Sequence, residues 1–162
     1  MFVSNTSTLI LLAKIGLLRK FLEGKHEVII PQEVYIEFIE KENSFDAKLI
    51  KKEIDEKRIY VKTCDKKIYS NILREFRLHE GEAAAYSLFD VNKHKAILTD
   101  DGELIKLCRL SQIPFVCSMA IVINLYKNEK ITKAQAKEKI DMLFTIGRYS
   151  KDIYEYFIKE VS

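Results

Sequence analysis

The sequence predicts an α/β protein: a three-layer α/β/α arrangement with a five-stranded parallel sheet and extra helices at the carboxyl terminus. Three observations predict it. Short apolar runs alternate with helical patterns along the chain, as βαβ units require. The central runs are apolar throughout, so they read as strands buried on both faces. The chain has 162 residues, 48% hydrophobic and 31% charged, with only 5 Gly and 2 Pro, and no linker, repeat or low-complexity stretch divides it. Residues 1–162 therefore read as one domain, with 118–162 a helical carboxyl-terminal extension.

The elements follow in order. Phe2-Val3-Ser4 is a short first strand. Ser7 or Thr6 can cap the next helix, which runs through Leu9, Ile10, Leu12 and Ala13 to Gly16. Leu17 to Leu22 make a second short helix. Glu27-Val28-Ile29-Ile30 is the second strand, and Pro31 suits the first turn of a helix because its missing N–H does no harm there. That helix turns Val34, Phe38 and Ile39 to one face. Ser44 caps an amphipathic helix with Ala47, Leu49, Ile50 and Ile54 at helical spacing. Arg58 to Val61 is a third strand. Asp65 opens a helix over Ile68 to Phe76, and His79-Glu80-Gly81-Glu82 leads into the alanine-rich helix to Leu88. Ala96-Ile97-Leu98 is the fourth strand, and Asp101 is placed to cap the helix after it. Ile113 to Cys117 is the fifth, at an edge because Pro114 cannot donate to a ladder. Ser118 to Lys127 is an apolar helix. Thr132 caps another, with Ala136, Ile140, Leu143 and Phe144 inward. After a break at Gly147-Arg148-Tyr149, Ser150 caps the last.

Composition excludes several classes. No apolar run approaches a membrane span, and the amino terminus lacks the basic start and apolar core of a signal peptide. Cys64, Cys108 and Cys117 show neither paired nor metal-type spacing, so they read as reduced thiols of a cytoplasmic protein. His26, His79 and His94 form no metal or triad spacing and read as surface or loop residues. The net charge of +3 neither demands nor excludes a polyanionic partner.

The chemistry lies where strands end. Asn5 follows the first strand and Glu37 stands one turn into the helix after the second. Glu82 opens the helix before the fourth strand, and Asp100 and Asp101 follow that strand. Right-handed crossovers gather such loops at one edge of a parallel sheet, where ligands bind. Carboxylates drawn together there repel unless a cation sits between them. Oxygen ligands without a Cys or His cluster suit Mg2+ or Mn2+, and two or three of them can support phosphodiester cleavage.

The order Val3-Ser4-Asn5-Thr6-Ser7, Ile30-Pro31-Gln32-Glu33-Val34-Tyr35-Ile36-Glu37, Gly81-Glu82-Ala83-Ala84-Ala85 and Leu98-Thr99-Asp100-Asp101 resembles the PIN domain. The closest resemblance is to the small prokaryotic branch that includes VapC-type toxins and their uncharacterised relatives. It covers Phe2 to about Val116, and Gly147-Arg148-Tyr149-Ser150 also resembles that branch. The resemblance implies a metal-dependent ribonuclease with Glu37, Glu82 and Asp101 catalytic. Metal ligands would come from Asn5, Glu37, Glu82, Asp100 and Asp101, with Thr6, Ser7 and Thr99 supporting. It further implies an RNA substrate, a toxin role with an antitoxin protein, and a homodimer. The family usually has Asp where this chain has Asn5, and an amide brings no charge to a metal. An engineered replacement, a weakened enzyme and a domain that binds without cutting all accord with that departure. The alternative function is thus an impaired PIN-like module that binds RNA or protein. A phospho-acceptor signalling domain ranks low, because its acids would follow the first and third strands, which end here in Asn5 and Thr63-Cys64. Arg148 is a candidate RNA phosphate contact, with Tyr149 beside it for base stacking.

Overall fold

The computed structural model describes residues 1–41 and 43–162. The chain begins with β1 (Phe2–Ser4), α1 (Thr6–Lys14), α2 (Leu18–Leu22), β2 (Val28–Pro31) and α3 (Gln32–Glu40). It continues through α4 (Phe45–Asp55), β3 (Ile59–Lys62), α5 (Lys66–Glu75), α6 (Glu80–Leu88) and β4 (Ile97–Leu98). The rest is α7 (Gly102–Leu110), β5 (Phe115–Val116), α8 (Ser118–Lys127), α9 (Lys133–Ile146) and α10 (Lys151–Lys159). The five strands pair in parallel in the order β3-β2-β1-β4-β5. The three-layer α/β/α reading of the sequence is therefore the fold.

Alternation along the strands builds the two cores. Val28, Ile30, Ile59 and Leu98 face a layer that includes Leu9 and Leu12 of α1, Ile50 of α4 and Met119 and Val122 of α8. Val3, Ile29 and Ile97 face the opposite side, against Ala85 of α6 and Leu104 and Cys108 of α7. The carboxyl-terminal helices do not stand apart. Ala136, Ile140 and Leu143 of α9 are buried in the first of these cores, and Tyr154 and Phe157 of α10 pack against it.

Several helix starts obey local rules. Ser44 accepts from Ala47 N–H, Asp65 from Lys67 and Ile68 N–H, Thr132 from Gln135 N–H and Ser150 from Ile153 N–H. Gly16, just past α1, takes φ +74, a left-handed conformation that glycine adopts freely.

Three local expectations are corrected. Asn5, not Thr6 or Ser7, stands at the N-cap of α1; the Thr6 hydroxyl donates to Glu37 and the Ser7 hydroxyl donates to Asn5 and accepts from the Asp100 N–H. Pro31 is the last residue of β2 and the N-cap of α3, since its extended backbone continues the strand. Ile39 and Phe144 are more than a third exposed, and Phe144 stacks on Tyr154 instead of entering the core. The three histidines lie in loops as expected, His94 buried there with its Nδ1 accepting from Asp90 N–H at 2.8 Å and His26 packed against Phe2 and Phe21. Among the described residues no helix is long and apolar enough to cross a membrane.

Candidate active site

Parallel strands end at a common edge, and the residues expected there meet through contacts that span the chain. Glu37, on the second turn of α3, accepts a hydrogen bond from the Thr6 hydroxyl at Oε2. Its other oxygen, Oε1, lies directly over Gly81, where an added Cβ would collide with it. Glycine at that position lets α3 and α6 approach with a carboxylate between them. Glu82, the next residue, accepts the His79 N–H at Oε2 over 2.7 Å, across the first turn of α6.

Asp101 caps α7, its Oδ1 accepting from Leu104 N–H at 2.8 Å. Its own N–H donates to Thr99 Oγ1 at 3.1 Å. The same Thr99 oxygen accepts Asn5 Nδ2 at 3.0 Å, and Asn5 Oδ1 accepts the Ser7 hydroxyl at 2.9 Å. Asn5 is 2% exposed, so its amide is held at both ends inside the protein. The connections form a nearly closed ring: Asn5 to Thr99, Thr99 to Asp101, and Glu37 to Thr6, the neighbour of Asn5. Glu82 joins the two halves electrostatically. Burial lifts its carboxyl above the ordinary carboxylate value. The His79 N–H works against that shift, and the negative charges of Asp101 and Glu37 add to it.

Asp100, expected to complete this pocket, has its carboxylate engaged by donors from other elements. Successive residues of an extended chain point to opposite faces. Asp101 therefore turns toward α6 and α7 while Asp100 turns toward α1 and α8. Asp100 Oδ2 accepts the Thr8 hydroxyl at 2.7 Å and the Ser118 hydroxyl at 2.6 Å. Ser118 N–H lies 3.0 Å from Asp100 Oδ1, which also accepts the Tyr149 hydroxyl. The backbone N–H of Asp100 donates to Ser7 Oγ at 3.0 Å. Burial raises the Asp100 carboxyl above its usual value, and the Ser118 and Thr8 hydrogen bonds oppose that shift.

Thr8, Ser118, Gly81 and the His79 N–H are contacts the sequence did not reveal. Tyr149, a candidate for base stacking, has its hydroxyl on Asp100 instead, and Arg148 beside it is exposed. Nothing local marks these pairings, since Tyr149 and Asp100 are 49 positions apart. Among the described residues no three acidic, His or Cys side chains stand close enough together to hold a metal ion directly. The carboxylates share a field without forming a tight cage.

The family model DUF3368, described as a PIN domain, matches residues 1–162, the whole chain. No curated protein matches it.

Proposed function

Because the chain belongs to the PIN domain family, whose members are in general divalent-metal-dependent nucleases, we propose that it is an endoribonuclease that hydrolyses RNA phosphodiester bonds. Glu37, Glu82 and Asp101 are its catalytic carboxylates. The observation that carries this reading is their shared field. Burial raises Glu82, Asp101 and Glu37 add to that shift, and among the described residues no cationic side chain forms an ion pair with any of the three.

The donor set fits the ion. It is all oxygen, which suits Mg2+ or Mn2+ better than zinc. Its looseness also fits, because magnesium dehydrates reluctantly and binds through one or two carboxylates while keeping several waters. When bound, such an ion supplies positive charge to the phosphodiester and acidifies water. The chain's own residues orient the oxygens. Thr6 fixes Glu37 Oε2, His79 N–H fixes Glu82 Oε2 and Leu104 N–H fixes Asp101 Oδ1. Each carboxylate thus keeps a second oxygen outside these bonds. Glu82 Oε1 is the proton acceptor in this reading, because the Glu82 carboxyl is raised and a base works best with its pKa nearer the working pH. Arg148 contacts a substrate phosphate.

The test is cleavage of single-stranded RNA with Mn2+, then with chelator. Manganese-dependent cutting abolished by chelation supports the reading. Asn5 favours a second one: its amide is committed to Ser7 and Thr99 and brings no charge. RNA bound but left intact, with or without Mn2+, would establish a binding module instead. A toxin role, its antitoxin and a homodimer accompany the first reading through the family resemblance. Light scattering on the purified chain tests the dimer.

A further inference from the structure

We infer that Tyr149 and Asp100 form a strap that ties the carboxyl-terminal extension to the end of β4, at the residue next to Asp101, and so holds exposed Arg148 for contact with a phosphate of the nucleic-acid substrate. The substrate class comes from the nuclease reading; the strap itself stands on contacts alone. Tyr149 belongs to the turn between α9 and α10, and its hydroxyl reaches the carboxylate next in sequence to Asp101. That carboxylate also gathers Thr8 from α1 and both the N–H and hydroxyl of Ser118 from α8. Asp100 thereby ties three distant segments to the end of β4. So many donors leave it little capacity for a cation, which marks it as a positioning residue.

The turn is shaped to let Tyr149 fold back. A Cβ on Gly147 would come within 2.7 Å of both the Leu143 carbonyl oxygen and the Tyr149 ring. Any larger residue would push the ring out of place. One residue beyond Tyr149, Ser150 caps α10 through Ile153 N–H. Arg148 is thus held between fixed points, exposed and, among the described residues, without an ion-pair partner. A phosphodiester approaching three carboxylates needs positive charge at its flank. The guanidinium fork matches phosphate oxygens in geometry as well as charge.

Three full-length variants test this: Tyr149→Phe, Gly147→Ala and Arg148→Ala. The first readout is native-state trypsin cleavage after Arg148, which involves neither metal nor RNA. Tyr149→Phe and Gly147→Ala should each speed that cut about tenfold or more, by freeing the local segment. The gain should be confined to this bond. The second readout is binding of a labelled oligouridine in EDTA across a salt series. Arg148→Ala should lower the salt slope by about 0.7, the share of one phosphate contact on a single strand. Tyr149→Phe should lose affinity too, and the double variant should bind no worse than Arg148→Ala alone. An unchanged tryptic rate in Tyr149→Phe, a gain spread over all Lys and Arg sites, or additive losses of affinity would overturn the strap. A wild-type chain that does not cut RNA refutes the nuclease reading while leaving both readouts intact.

Discussion

Glu53 and Glu82 are both carboxylates drawn into the protein, and the chain treats them in opposite ways. Glu53, on α4, has a side chain only 5% exposed, and Arg19 Nε and Arg58 Nε lie 2.8 Å and 2.5 Å from its oxygens. Glu56 joins the same two arginines. Glu82 has one backbone N–H, no ion-pair partner among the described residues and, for electrostatic neighbours, two further acids opposed by His79. The same contrast recurs within α3. Glu33 pairs with Lys66 at 2.8 Å, whereas Glu37, one turn on, has only the Thr6 hydroxyl. Where the protein supplies its own cation, the charge is structural, and removing either partner should cost stability. Where it supplies no ion pair, the proposed nuclease reading assigns the charge to a cation from outside. A site of that kind trades stability for binding.

The sharpest way to break this contrast is Glu82→Gln. In the nuclease reading, cleavage should fall about 10²-fold or more, the usual contribution of a general base. The metal-free protein should melt no lower than wild type, because a repelled carboxylate has gone. A thermal melt beside an RNA cleavage assay checks both, and a lowered melting temperature would place Glu82 among the structural acids.

Glu53→Ala should behave in the reverse sense. Urea denaturation should show a loss of about 2 kcal/mol, the scale of charge-assisted hydrogen bonds. The variant's Mn2+-induced rise in melting temperature should match that of wild type.

Asn5→Asp should sharpen the contrast by adding charge to the hollow. Ser7 and Thr99, the partners of the amide, are both hydroxyls, and either can turn its proton toward a carboxylate. The variant should therefore fold. It should bind Mn2+ about tenfold or more tightly, cut RNA faster, and be less stable without metal. Calorimetric titration of Mn2+ into both proteins decides it. Unchanged affinity and unchanged cleavage together would remove Asn5 from the pocket.

The smallest effect is in pH. Glu82 is raised from its ordinary 4.5, so the native state holds a proton that the unfolded chain releases. Its contribution to stability should be fully present below about 4.5 and be lost as pH rises through its folded value. Asp100, raised from 3.8, has the same sign. Manganese should reverse the trend, because the ion competes with the proton and its stabilisation grows as Glu82 ionises. Melting temperature against pH, with and without Mn2+, measures both slopes. Glu82→Gln should flatten each of them.

What could be read from the sequence was local or periodic. The caps at Ser44, Asp65, Asp101, Thr132 and Ser150 involve residues two or three apart, so their chemistry is written in adjacent letters. The apolar runs at Val28–Ile30 and Ile97–Leu98 carried the sheet in the same way, although β4 and β5 are only two residues each. Candidate site residues were visible as polar positions at strand ends. Their partners were not. Thr6 meets Glu37 across 31 positions and Asn5 meets Thr99 across 94. This is why Thr6 and Ser7, good caps by composition, cap nothing: each hydroxyl has a tertiary partner.

By itself, then, the sequence determined the α/β class, the number of strands and the edge at which the acids lie, because periodicity and capping act over a few residues. Only the tertiary structure decided which acids face one another. Alternation at the end of β4 sent Asp101 to the start of α7 near Glu82 and Asp100 to Tyr149, and close approach at Gly81 set Glu37 against α6. Such choices rest on contacts between residues remote in the chain, and no short stretch of sequence contains both members of the pair.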